Sequence, residues 1–95
     1  MKNVILREQL KIQDEPQELR LFGGKILHLQ EDRQGLGRID IWFETFTVPT
    51  NQALTRFRIV GTGHEFENGW NHVATVVMSS GLVWHVYREF VWQIG

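Results

Sequence analysis

The chain has 95 residues, 42% of them apolar and 22% charged, with ten basic and eleven acidic side chains. That length supports one hydrophobic core, and a formal charge of -1 argues against attachment to nucleic acid or an anionic membrane by bulk electrostatics. With no cysteine there is neither a disulfide framework nor a thiolate metal site, and no apolar run approaches the roughly 20 residues of a membrane-spanning helix.

One cytoplasmic domain over 1–95 is therefore expected, the apolar stretch Val4–Leu6 being too short for a signal peptide. Val, Ile and Thr total 22 residues against two alanines, beside four Trp, six Phe and one Tyr. Such side chains suit a pleated, half-buried surface, so the domain reads as all-β. Val4–Ile12 has Val4, Leu6, Leu10 and Ile12 in alternation, interrupted at Glu8, until Asp14-Glu15-Pro16 breaks the run. Glu18–Phe22 is a short strand closed by Gly23-Gly24. Lys25–Glu31 places Leu27 and Leu29 on one face, with Ile26, His28 and Gln30 on the other, and the polar Asp32–Gly37 reads as a hairpin loop.

Arg38–Phe46 is the clearest strand, with Ile39, Ile41 and Phe43 on one face and Arg38, Asp40, Trp42, Glu44 and Phe46 on the other. Pro49–Ala53 is a polar connection with room for one helical turn capped by Thr50. Thr55–Val60 sets Phe57 and Ile59 against Arg56, Arg58 and Val60, and Gly61-Thr62-Gly63 ends it. A loop over His64–Asn71 precedes a strand over His72–Met78, and Ser79-Ser80-Gly81 turns into Leu82–Trp92. There Leu82, Trp84, Val86, Phe90 and Trp92 share one side, and Val83, His85, Tyr87, Glu89 and Val91 the other. Six or seven short strands describe a small antiparallel β-sandwich or barrel, and the short turns imply a largely meandering order.

The segment TRFRIVGTGH, Thr55–His64, carries the strongest chemistry. A strand running into Gly-x-Gly turns sharply and exposes backbone N–H groups that can cradle an anion. Arg56 and Arg58 would project from one face, where their forked guanidinium groups match phosphate or carboxylate oxygens, with Thr62 and His64 close by. The segment is not a Walker loop, which needs a lysine and a helix, nor a dinucleotide fingerprint, since no helical pattern follows. The competing reading makes the glycines a plain turn and pairs both arginines with Asp40, Glu44 or Glu89 across the sheet.

His28, His64, His72 and His85 are the only imidazole ligands for a metal, with Glu65 or Glu67 as a base, but no pair has a motif spacing, so no metal or other cofactor is expected. Ser79 and Ser80 have no histidine and carboxylate placed to activate them, and carboxylates alternating with arginines are usually surface ladders. Trp42 and Trp84 read as core, Trp70 as a loop residue, and Trp92 as part of a tail apolar on both faces. That surplus of apolar surface on a small sheet points to a homo-oligomer or to stacking on a planar ligand.

RFRIVGTGH (Arg56–His64), GLVWHVY (Gly81–Tyr87), GGKILHLQ (Gly23–Gln30) and the strand around Ile41-Trp42 resemble a family of small phage- and prophage-encoded domains. The likeness runs from about Glu18 to Tyr87; the stretch from Trp42 to Asn51 is longer here and the tail after Tyr87 is additional. The resemblance implies a viral setting, in the host cytoplasm, and no assigned catalytic residues. The residues point to a non-enzymatic module that captures a phosphorylated or nucleotide-like ligand, and the viral setting that the resemblance implies adds the expectation that it counters host defence signalling. Arg56 and Arg58 would neutralise phosphate, the Gly61–Gly63 backbone would donate, His64 or His85 would add a polar contact, and Trp84 or Tyr87 would supply an apolar wall. Rival readings are a module that occludes a host protein through a sheet edge or the Trp92 tail, and a metal-dependent nucleotide hydrolase. Sequence-specific DNA binding is disfavoured, as no recognition helix or basic patch is present.

Overall fold

A computed structural model describes residues 2–20, 25–46 and 53–92. They form seven strands: β1 (Asn3–Lys11), β2 (Gln17–Arg20), β3 (Lys25–Glu31), β4 (Arg38–Phe46), β5 (Ala53–Gly61), β6 (Asn71–Val77) and β7 (Val83–Trp92). All pairings are antiparallel, in a three-stranded sheet of order β1-β4-β3 and a four-stranded sheet of order β2-β5-β7-β6. The domain is an all-β sandwich, with no helix among the described residues. No helix there is long and apolar enough to cross a membrane. The end of the expected Glu18–Phe22 strand, the Gly23-Gly24 turn and the helical turn at Thr50 lie outside the described residues.

Alternation builds the core. Leu10, Leu29, Ile39, Ile41 and Phe43 from the smaller sheet meet Phe57, Ile59, Val76 and Val86 from the larger one, with Met78 just past β6. β4 is central in its sheet, and opposite its core side Asp40 is fully buried, where Gln9 Nε2 donates to its Oδ1 at 3.0 Å. Trp42 is not core. It lies half-buried on that same outer face, 5.8 Å from the His28 ring and 6.0 Å beneath the Arg33 guanidinium.

The order is less meandering than the turn lengths imply. Only β3–β4 and β6–β7 are hairpins of consecutive strands, while β1 pairs with β4, and β5 with β2 and β7. After β1, Pro16 can offer no N–H to a ladder, so the chain turns a corner into the other sheet. The Gln17 side chain completes that corner, accepting from Lys11 N at 2.8 Å and donating to Lys11 O at 2.7 Å. β3 departs from strict alternation as well. Its register slips between Ile26 and His28, so Leu27 is exposed while Ile26 packs on the core along with Leu29. One inserted residue reverses the face of everything before it.

Candidate functional site

The strand β5 ends in a tight turn in which His64 N–H donates to Gly61 O at 3.1 Å. Gly63 has φ +86°, a conformation that costs a side-chain-bearing residue about 1–2 kcal/mol. Gly61 serves closeness instead: a Cβ there would stand 2.9 Å from His64 Nδ1 and 3.3 Å from Trp84 Cζ3. The two glycines thus have separate duties. One admits the turn, and the other lets the His64 ring lie against the end of the strand. Because His64 N–H closes the turn, it is spent within the chain and does not point outward as an anion donor.

Beyond the turn, the loop folds back over the outer face of the larger sheet. Phe66 rests on Tyr87 with ring centroids 4.7 Å apart, and Tyr87 meets His72 edge-on at 5.3 Å. Glu67 reaches Arg58 Nη2 at 3.5 Å. Between turn and sheet lies a concavity of about 190 Å³, lined by Gly61–His64, Phe66, His85, Tyr87 and Val60. Arg58 is the register partner of Tyr87 and sits two residues before Val60 on the same face, at the margin of this concavity.

Two arginines that look alike in sequence are in different states. Arg56 is held by two carboxylates, Glu89 at 2.9 Å and Glu18 at 3.3 Å. The expected cross-sheet pairing with Glu89 therefore holds for Arg56. Arg58 is 16% exposed, has one long contact to a 60%-exposed Glu67, and its Nε is buried with no hydrogen-bond partner. A buried donor left unmatched costs more than a matched one gains, so this guanidinium is less fully satisfied than that of Arg56.

A hydrogen-bonded row crosses the same face. Thr62 Oγ1 is 2.9 Å from His85 Nε2, His85 Nδ1 is 3.0 Å from Thr75 Oγ1, and that hydroxyl is 3.1 Å from His72 Nε2. Thus Gly61, Thr62, Gly63, His64 and His85 come together around one concavity, with Arg58 beside it. Arg56 and Trp84 do not line it. Trp84 packs against the core from the inner face, with its Nε1 buried and unpartnered. Phe66 and Thr75 were not expected in the site. Its aromatic ring in a mostly polar loop, shared only with Trp70, was the available sign for Phe66, whereas Thr75 belongs to an ordinary alternation and gave none. Among the described residues, no three His, Asp or Glu side chains gather as a metal site would require.

A family model described as a domain of unknown function, DUF7352, matches residues 1–93. The chain belongs to this family. Searches among curated proteins and among solved structures found no match. DUF7352 membership thus spans nearly the whole sandwich, including both sheets and the loop that covers Tyr87.

Proposed function

We propose that this DUF7352 domain is a non-enzymatic module that captures a phosphorylated, nucleotide-like small molecule at the Gly61–His64 concavity. The observation that carries the reading is Arg58: a largely buried guanidinium with an unmatched Nε, next to a pocket walled by Tyr87, Phe66 and two imidazoles. A phosphoryl oxygen would displace the long Glu67 contact and meet the guanidinium fork. Tyr87 and Phe66 offer a surface for a planar group, and the Thr62–His85 pair supplies hydroxyl and ring nitrogen for a sugar or base edge. At about 190 Å³ the concavity suits one phosphorylated sugar-sized moiety, with the rest of a larger ligand lying across the exposed aromatic surface.

The setting that we propose is a phage accessory protein acting in the host cytoplasm against nucleotide-based defence signalling; its support is the RIVGTGH and GLVWHV motifs. We also propose self-association, for which the edge strand β1 is the favoured surface, because it exposes Ile5 and Leu6. Native mass spectrometry with a panel of linear and cyclic nucleotides tests both ideas. The expected result is an oligomer that gains nucleotide mass at fixed stoichiometry, with the gain lost in Arg58→Gln. A folded protein that takes up no nucleotide overturns the ligand reading and turns attention to occlusion of a host protein.

A further inference from the structure

The sandwich has a second and larger concavity, of about 450 Å³, where the edge strands β3 and β6 face one another. Each strand carries an irregularity there, between Ile26 and His28 in β3 and between His72 and Ala74 in β6. A bulge bends an edge strand and leaves a residue outside the ladder. The extra residues, Leu27 and Val73, both line the opening, at the same level of the sandwich. Past the other end of these strands the sheets are tied together: Ser79 N–H donates to Glu31 Oε2 at 2.9 Å, and Ser79 Oγ to Glu31 Oε1 at 3.0 Å. The result is a crevice secured at one end.

Its lining is amphipathic. Ile26, Leu29, Val73 and Ala74 all belong to or pack on the core and form an apolar floor. Arg88 interrupts that floor. Two residues beyond the fully buried Val86, it occupies the inner-facing register of β7, and it lines the crevice half-buried. Arg88 also has a contact within the chain. Lys25, with no ion pair among the described residues, stands at the rim with His28 and His72. Among the described residues no acidic side chain lines the crevice; Glu44 stands opposite Lys25 in the β3–β4 register, outside the lining. The volume of the crevice falls within the range of about 300–1,000 Å³ usual for small-molecule sites.

We propose that this crevice binds a small amphipathic anion: an apolar body against Ile26, Leu29, Val73 and Ala74, with a phosphoryl or carboxylate head between Arg88 and Lys25. The crevice shares no lining residue with the Gly61–His64 concavity, although the Thr75–His85 hydrogen bond joins their edges. The test is a titration of the intact protein followed by backbone amide shifts, using phenyl phosphate, benzoate, inorganic phosphate and benzyl alcohol as probes. Phenyl phosphate or benzoate should move the amides of 25–29 and 72–75 more than those of 61–66, and the stronger of the two identifies the head group. Inorganic phosphate and benzyl alcohol, each lacking one half of the ligand, should bind more weakly. Lys25→Ala should weaken the stronger aryl anion about tenfold, as loss of one charge-assisted contact would. Arg88→Lys, which keeps the charge but not the fork, should weaken it with the fold retained. Unmoved crevice amides at millimolar phenyl phosphate and benzoate overturn the proposal, as does aryl-anion binding that is unchanged in Lys25→Ala and Arg88→Lys. Shifts confined to 61–66 would overturn this proposal while leaving the loop site standing.

Discussion

His72 and His85, on neighbouring strands, share a single hydroxyl: Thr75 Oγ1 lies 3.1 Å from His72 Nε2 and 3.0 Å from His85 Nδ1. One hydroxyl carries one proton, so it can donate to only one of the two rings, and the other must present an N–H to it. Proton placement on the two rings is therefore not independent. Thr62 extends the constraint, because its contact to His85 Nε2 engages the second nitrogen of that ring. Thr75→Val keeps the shape and removes the shared group. Long-range proton–nitrogen spectra should then show changed ring-nitrogen shifts at both histidines, whereas Thr62→Val should act chiefly at His85. A Thr75→Val protein whose two imidazoles both keep their wild-type shifts would show that the row is not formed in solution.

Glu67 occupies the place where a ligand oxyanion would approach Arg58, and it does so weakly, at 3.5 Å and largely in solvent. Exposed ion pairs contribute about 0–1 kcal/mol, so its removal should barely alter stability. It should instead remove a competitor. Glu67→Gln is expected to raise nucleotide affinity a few-fold in calorimetry, and Arg58→Gln to lower it about tenfold or more. If Glu67→Gln weakens binding, the carboxylate belongs to the ligand site in some other capacity and the displacement argument fails.

Much of this arrangement is written in the alternation of the strands. Ile39, Ile41 and Phe43, and then Phe57 and Ile59, identify the two inner faces before any coordinates. The face of Leu27 is not legible, because a bulge adds one residue without any mark of its own in a sequence such as KILHLQE. Trp42 misleads for a related reason: a large aromatic suggests the core, yet parity with Asp40 and Glu44 already assigns it to the outer face. Arg88 was legible. It stands in the stripe of Trp84 and Val86, where an inward charge calls for a reason. The unequal states of Arg56 and Arg58 were not, since they depend on a loop folding back to bring Glu67 over one and on β2 bringing Glu18 beside the other.

The two glycines of the turn should respond differently to the same added methyl. At Gly63 nothing lies within 4 Å of a new Cβ, so the cost is conformational, about 1–2 kcal/mol for holding φ at +86°. At Gly61 the backbone is permissive but the space is taken by His64 and Trp84. His64 is exposed and its ring can leave; Trp84 must yield by a few tenths of an ångström. Gly61→Ala should therefore cost about 1 kcal/mol in denaturant midpoint. It should also shift the His64 ring resonances strongly, whereas Gly63→Ala should destabilise with a smaller change at that ring. Equal His64 perturbation in both variants would argue that the turn simply unravels.

Glu31 connects the sheets at a point where no backbone ladder does. Both of its carboxylate oxygens accept from Ser79, one from the backbone N–H and one from the hydroxyl, so the end of β3 is tied to the turn between β6 and β7. Hydrogen bonds to a charged acceptor contribute about 1.5–3 kcal/mol when well shielded and less in solvent. With the Ser79 pair exposed, Glu31→Ala should cost about 1–2 kcal/mol, and Ser79→Ala, which keeps the backbone bond, about half as much. The two losses should not add, because the serine hydroxyl has no carboxylate left to meet once Glu31 is gone. Hydrogen exchange gives the sharper reading. Amides of β3 and β6, the two edges, should exchange faster in Glu31→Ala, while those of β4 and β7, each paired on both sides, should keep their protection. Uniform acceleration across all four strands would mean that Glu31 supports the whole domain rather than the closure of one edge.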